Sequence, residues 1–463
     1  MSIRKLGENS GGVRAWKWAA AAIIVPALAG GALAFSLSGH AAPEVNTSAT
    51  DAMDSVGSPD NMAGASTELA KRVAKAHNGA VIALPPGDYG EAAFHNLRTG
   101  GMVTLTSADR AHPAVFAALS IRNSNGVRFD GIKVDASKSS LKFPITILNS
   151  DHIELKGIDA IGGGYGASPA AISALMIRDS GDVTVEKSRF RLFWHGISLL
   201  GSTRLRVAAN ELRDLRTDGI RGGGLIDTVI EDNFITDFHP MEGDHPDGIQ
   251  IWSVRQKTGS RNLTIQNNLV ARGKGDAAQG IFVNEQTGTL PYQNLIIRGN
   301  FIVGGRFNGV SVQHAEGLTI EDNAIVGLPD RLSWLRVLDS SGGMVTRNSA
   351  MKFNFSRKNS GITFSNNDIT GAASLERAQA RMMQWLSGKP RSRAATGPLL
   401  SPPLAADKIG PTVTSGENPD QRERMQRQGG PRRWQGNRLA EGGAGDERPA
   451  REHRGRKAAQ QEW

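Results

Sequence analysis

The chain contains no cysteine, so disulfides, thiolate catalysis and cysteine-ligated zinc are excluded. Aromatic residues are scarce, at 6% of 463. Net charge is missing from the middle of the chain: residues 1–42 hold four Lys/Arg against one acid, residues 389–463 hold fifteen against nine, and residues 43–388 carry 35 of each. The formal excess of +9 therefore belongs to the ends, and a neutral body gives no reason to expect a nucleic-acid partner. What is abundant is glycine, with 55 residues, which suits many tight turns better than long helices.

At the N-terminus Arg4, Lys5, Arg14 and Lys17 precede an apolar run from Ala19 to Phe35 and then the small-residue stretch "SGHAAP". That order is expected of an export signal cleaved near Ala41 or Ala42. Left uncleaved, residues 19–37 come close to the roughly 20 residues of an inner-membrane anchor. Either outcome puts the bulk of the chain outside the cytoplasm, periplasmic or secreted. Residues 43–65, rich in Ser, Ala, Asn, Asp and Gly, are expected to be a flexible spacer. Residues 389–463, rich in Arg, Gly and Gln without periodicity, are expected to be a disordered basic tail that could contact anionic cell-surface polymer.

Between these ends one pattern recurs: "LRVAANEL", "TVIEDNFI", "LTIQNNLV", "LIIRGNFI", "LTIEDNAI", "MVTRNSAM" and "ITFSNNDI". The shared position is Asn210, Asn233, Asn268, Asn300, Asn323, Asn348 and Asn367, continued upstream by Ser107, Gly131, Gly157 and Ser188. Successive spacings are 24, 26, 31, 22, 23, 35, 32, 23, 25 and 19. Around this slot apolar and polar residues alternate with the two-residue period of strands. A variable loop follows, then a third strand: "HGISLL", "DGIRGG", "DGIQIW", "QGIFVN", "NGVSVQ". Three short strands per unit, with Asn or Gly allowing a left-handed turn between two of them, would stack into a parallel β-helix around one apolar core.

On these repeats, and on the opening "STELAKRVAKAHNGAVIALPPGDYG", the chain resembles the right-handed parallel β-helix proteins of the pectate-lyase-like superfamily, of the secreted polysaccharide lyase and epimerase type. The resemblance covers roughly residues 66–370 and implies an all-β, single-stranded solenoid of about 10–11 coils with a short capping helix at its start. The Lys and Arg motifs of the best-known β-helix lyases are absent, and of the polygalacturonase set only "TDGI" is present. Within 371–388, Leu375, Ala378, Met382, Met383 and Leu386 form one helical stripe, expected to cap the far end, where strand edges and core would otherwise lie open.

In a solenoid, lengthened units become loops on one face, often the binding face. The longest spacing contains "DFHPMEGDHPD", directly before its third strand. If Ile220, Ile249, Ile281 and Val310 point inward, the outward column is Ser198, Arg221, Gln250, Phe282 and Ser311, because coils stack about 4.8 Å apart. Next to it run Leu200, Gly223, Trp252, Asn284 and Gln313, and at the mouth His195, Asp218, Asp247, Gln279 and Asn308. Arg, amides and two aromatics suit a sugar polymer, so Gln250, Trp252, Phe282, Asn284, Gln313, His314 and His195 are candidate substrate contacts.

The candidate catalytic residues are His245, Asp247, Asp244, Asp218 and Arg221. His245 ionises near neutrality, and two carboxylates one coil apart would separate acid from base roles. "TDGI" and "PDGI" also place Asp where a side chain bonds turn amides, and strict strand parity would turn Asp247 inward. His239, Asp244, His245 and Asp247 could together hold a divalent cation such as calcium. Arg191, Arg213, Arg216, Arg272 and Arg306 precede the same strands, a row suited to neutralising a uronate carboxylate. Elimination or C5-epimerisation of an acidic polysaccharide is the leading expectation. Hydrolysis by paired Asp, and non-catalytic glycan binding at an envelope or cell surface, are the alternatives.

Overall fold

The computed structural model describes residues 62–139, 141–164 and 173–388, with side chains from residue 67, and the backbone of 432–434. The expected export signal or anchor and all but that short piece of the tail lie outside the described residues. Among the described residues no helix is long and apolar enough to cross a membrane.

Short strands with alternating burial wind into three parallel sheets, each coil adding one strand to each sheet, 12 in the first, 12 in the second and 11 in the third; the second also gains an antiparallel strand from the tail, Arg432–Trp434, on Asn367–Ile369. The alternation is plain in Val81–Leu84, where Ile82 and Leu84 are buried and their neighbours exposed. In the third sheet Ile197, Ile220, Ile249, Ile281, Val310 and Leu335 lie in one register, all fully buried. Such ladders run through one continuous core from Leu69 to Ala350. Each large apolar side chain it removes from water contributes about 1.5–3 kcal/mol.

The recurring Asn has a different job from the one its turn suggests. The left-handed residue is the one before it, Ala209, Asp232, Asn267, Asp322, Arg347 or Asn366, at φ between 51° and 56°. The Asn side chain instead turns inside. Asn268 Nδ2 donates to the Ile230 carbonyl and to Asn300 Oδ1, while its Oδ1 accepts from the Asn233 backbone and side chain. Upstream, Gly131 and Gly157 occupy the left-handed position, not the slot. The slot beneath Ser188 belongs to Ile158, whose N–H donates to Ser188 Oγ.

The N-terminal helix, Met62–Lys75, begins inside the stretch expected to be spacer. It buries Leu69 and Val73 against the first coil, closing that end. The C-terminal helix, Leu375–Ser387, starts at Ser374, whose side chain accepts from Arg377 N–H. It lies along the outer face of the second sheet, with Ala378 and Met382 against Phe301, Val303, Val326 and Leu328. Met383, expected in its apolar stripe, is 49% exposed, because the helix is laid on a flat sheet that only a narrow stripe can meet.

Candidate functional site

The outer face of the third sheet carries the polar residues. The strands His195–Leu200, Ile220–Gly223, Asp247–Trp252, Gln279–Asn284, Phe307–Gln313 and Ser333–Leu338 run side by side. Ser198, Arg221, Gln250, Phe282 and Ser311 share one register row, which continues to Arg336.

Arg221 is only 2% exposed. Its Nη1 lies 2.9 Å from Asp218 Oδ2 and 2.9 Å from His195 Nε2, and its guanidinium carbon is 5.0 Å from the Trp252 ring centre. Thr217 donates its hydroxyl proton to the Trp194 carbonyl, so it accepts from His195 Nδ1–H. A guanidinium can only donate, so Nε2 accepts from Arg221. His195 is therefore neutral, as its surroundings demand: burial and the charges of Arg221 and Arg216 push its pKa well below the ordinary value. His195 is 4% exposed and braces Arg221, whose Nη1 lies within 3.0 Å of both ring nitrogens. Trp252 packs with Met176 and Leu200 in a small outer cluster, a wall behind Arg221, not an open platform for a sugar.

Asp218 Oδ1 accepts the backbone N–H of Asp247 at 3.1 Å, which ties adjacent coils together. Burial raises the Asp218 carboxyl to about 7, against the pull of Arg221 and with help from the charge of Asp247. Asp247 is fully buried. Strand parity did not decide its direction, since its Oδ2 accepts from outward Gln250 Nε2 at 2.8 Å and lies 3.5 Å from His245 Nδ1. His245 remains 22% exposed. Burial opposes its charge, but the hydrogen bond and charge of Asp247 outweigh burial and raise its pKa. Among the described residues, Arg221 Nε, Asp247 Oδ1 and Asn284 Oδ1 on this face are buried without a hydrogen-bond partner.

The other members of the acidic loop disperse. Asp244 makes a two-pronged ion pair with Arg216, at 2.6 and 3.0 Å, and also accepts from Met241 N–H. His239 Nε2 faces Asp214 at 3.3 Å. Accordingly, among the described residues no group of three His, Asp or Glu side chains is placed to hold a metal ion. Nor is the arginine row free, since Arg191, Arg213 and Arg272 pair with Asp159, Asp237 and Asp330. His314 is taken up by Glu285, 2.7 Å from its Nδ1. Asn284 and Gln313 stand in register and partly exposed.

Sequence reasoning missed Arg336 and Trp334, which one further step along the same columns would have reached. It also missed Glu285, which no repeat marks.

Three sheets of parallel strands with one strand per coil define a parallel β-helix. The family model for the right handed beta helix region matches residues 99–328. Among solved structures, the chain is similar to an alginate lyase from Paenibacillus sp. str. FPU-7 (16% identity, 65% of this chain and 96% of that one, TM-score 0.41). It is also similar to PfbA, a surface adhesin of Streptococcus pneumoniae (12%, 67% and 89%, TM-score 0.45). A third is the A-module of the mannuronan C-5 epimerase AlgE6 of Azotobacter vinelandii (17%, 67% and 77%, TM-score 0.34). These likenesses concern the fold alone. No curated protein matches the chain significantly.

Proposed function

We propose that the protein is an exported carbohydrate-active enzyme that binds an acidic polysaccharide along the outer face of the third sheet and acts on it by proton abstraction. The observation that carries this reading is His245, 22% exposed on this face with its Nδ1 3.5 Å from Asp247 Oδ2. Beside it Asn284 and Gln313 stand in register and partly exposed, and their amides can both donate to and accept from sugar hydroxyls.

Acidity is supported by the arginines at the far end of the same face. Arg336 donates Nε–H to Ser311 Oγ, Arg306 lies over Phe307, and neither is ion-paired among the described residues. Burial lowers both pKa values, and at Arg306 the nearby charge of Arg331 adds to this. Guanidinium nevertheless stays charged, and a uronate carboxylate is the anion it lacks.

In this reading His245, backed by Asp247, removes the proton on the carbon beside that carboxylate. The C–H electron pair moves into the carboxylate-stabilised carbanion. In elimination it then forms the ring double bond as the 4-oxygen departs with its bonding pair and takes up a proton. In epimerisation the carbon is reprotonated from the opposite face. The raised Asp218 carboxyl beside Asp247 favours a second reading, glycoside hydrolysis with Asp218 as acid.

The test is incubation with a panel of uronate polymers. Ultraviolet absorbance of an unsaturated product marks elimination, inversion at C5 by NMR marks epimerisation, and new reducing ends without a double bond mark hydrolysis. His245→Gln should lower elimination or epimerisation by about 100-fold or more. Binding without any turnover would overturn the enzymatic reading and leave a glycan-binding surface protein. Export rests on the basic, apolar, small-residue order of residues 1–42, and a mature N-terminus near residue 42 is the expected finding.

A further inference from the structure

A chain of hydrogen bonds crosses four coils and ends on His245. Trp334 Nε1 donates to Asn308 Oδ1 at 2.8 Å. Asn308 Nδ2 donates to Gln279 Oε1. Gln279 Nε2 then meets the His245 ring, 2.8 Å from Nε2 and 3.0 Å from Nδ1. The register of the third sheet lines these residues up: Asp247 stands beside Gln279 and Asn308 beside Trp334. The register shifts between Asn308 and Val310, an irregularity of the kind that re-aims side chains.

Indole nitrogen can only donate. That fact sets the direction of every bond behind it, since Asn308 must turn its oxygen to Trp334 and its amide to Gln279, and Gln279 must then present N–H to His245. A ring nitrogen facing that N–H has to accept; Gln279 approaches both, but Nδ1 also lies 3.5 Å from Asp247 Oδ2 and keeps its proton for that carboxylate, so Nε2 is the acceptor. A protonated His245 would set N–H against N–H. Relieving this requires both amides to reverse, which brings the Asn308 amide against the Trp334 N–H. The conflict is moved along the chain, not removed.

We infer that Trp334 is a positioning residue which, acting through Asn308 and Gln279, holds His245 in its neutral form with Nε2 as acceptor. The charged groups that also act on His245 are Asp247 and Asp218, which favour its protonation, and Arg306, which opposes it. Phe282, edge-on at 6.4 Å, is neutral. The amide chain therefore counterweights the two carboxylates, keeping the imidazole able to take up a proton. For turnover this rests on the role given to His245 above, but the protonation state itself does not.

The experiment is an NMR titration of the His245 ring in the full-length protein without substrate, its resonance assigned by loss in His245→Gln. Trp334→Phe removes the donor and keeps a ring against Phe307. Asn308 and Gln279 can then reverse, and the His245 pKa should rise by about 0.5–1 unit. Asn308→Leu removes both amide contacts without adding charge, frees Gln279 to turn its oxygen to His245 and should raise the pKa in the same way. If Trp334→Phe fails to fold, Asn308→Leu carries the test alone. An unchanged or lower His245 pKa in the folded variants would overturn the inference, whatever the protein proves to act on. If His245 does transfer the proton, the acidic limb of the pH–rate profile moves up by the same amount.

Discussion

Whether a side chain is available for chemistry here depends on what has already claimed it. Asp244 and His239 sit in the same acidic loop as His245 and Asp247, yet Arg216 and Asp214 hold them. Glu285 is the extreme case. Its two oxygens accept from Ser253 Oγ, the backbone N–H groups of Thr287 and Gly288, and His314. Burial works to raise its carboxyl, but hydrogen bonds from Thr287, His314 and Ser253 outweigh it and bring the pKa down to about 2. Because the folded value lies below the unfolded one, the stability Glu285 contributes is complete above about pH 4.5 and is lost as pH falls toward about 2. Glu285→Gln should cost on the order of 3 kcal/mol near neutrality. In paired melting curves the Tm gap should close as the pH approaches about 2; a gap that persists there would contradict the assignment.

At the scale of elements, the asparagine ladder holds the solenoid's corner. Asn268 sits mid-ladder, bonded on both sides, and Asn268→Ala would remove the acceptor of the buried Asn233 N–H and a donor to the Ile230 carbonyl. The expected loss is about 2–4 kcal/mol in urea unfolding. Asn367, with an Asn neighbour on one side, should cost less when changed to Ala. Equal losses at the two positions would mean that the ladder is not what fixes the corner. Its position was legible in the sequence because the spacing repeats. Its role was not, because spacing reports which residue recurs and not which one takes the left-handed dihedral. The C-terminal helix teaches the same lesson: its stripe was visible, but a stripe does not say whether it meets the end of the solenoid or its flank.

For the whole molecule, the separation of charge matters most. The described solenoid belongs to the stretch with 35 charges of each sign, whereas residues 389–463 carry fifteen basic residues against nine acidic. Of the described residues, deleting 389–463 removes only the three-residue strand Arg432–Trp434 from the end of the second sheet, where it pairs with Asn367–Ile369, and should lower the melting temperature of the β-helix only slightly. It should also weaken retention on an anionic glycan resin, and the difference should vanish at about 1 M salt, where screening shortens to about 3 Å. Retention that is unaltered by the deletion would place any anion binding on the solenoid alone, at Arg306 and Arg336.

The sequence by itself determined the coil, the inward ladders and the membership of each outward column, since strand parity and a constant rise per turn admit one arrangement once the repeat is found. It also placed Asp218 and Asp247 in neighbouring coils. Only the tertiary structure decided which of the gathered polar groups stay free. The loops that carry Asp244 and Asp330 to their Arg partners follow no period, and the bond that orients His245 begins at Trp334, 89 residues further along the chain. Periodicity governs backbone position; pairing between side chains is settled by where irregular segments bring charge and hydrogen-bonding groups together.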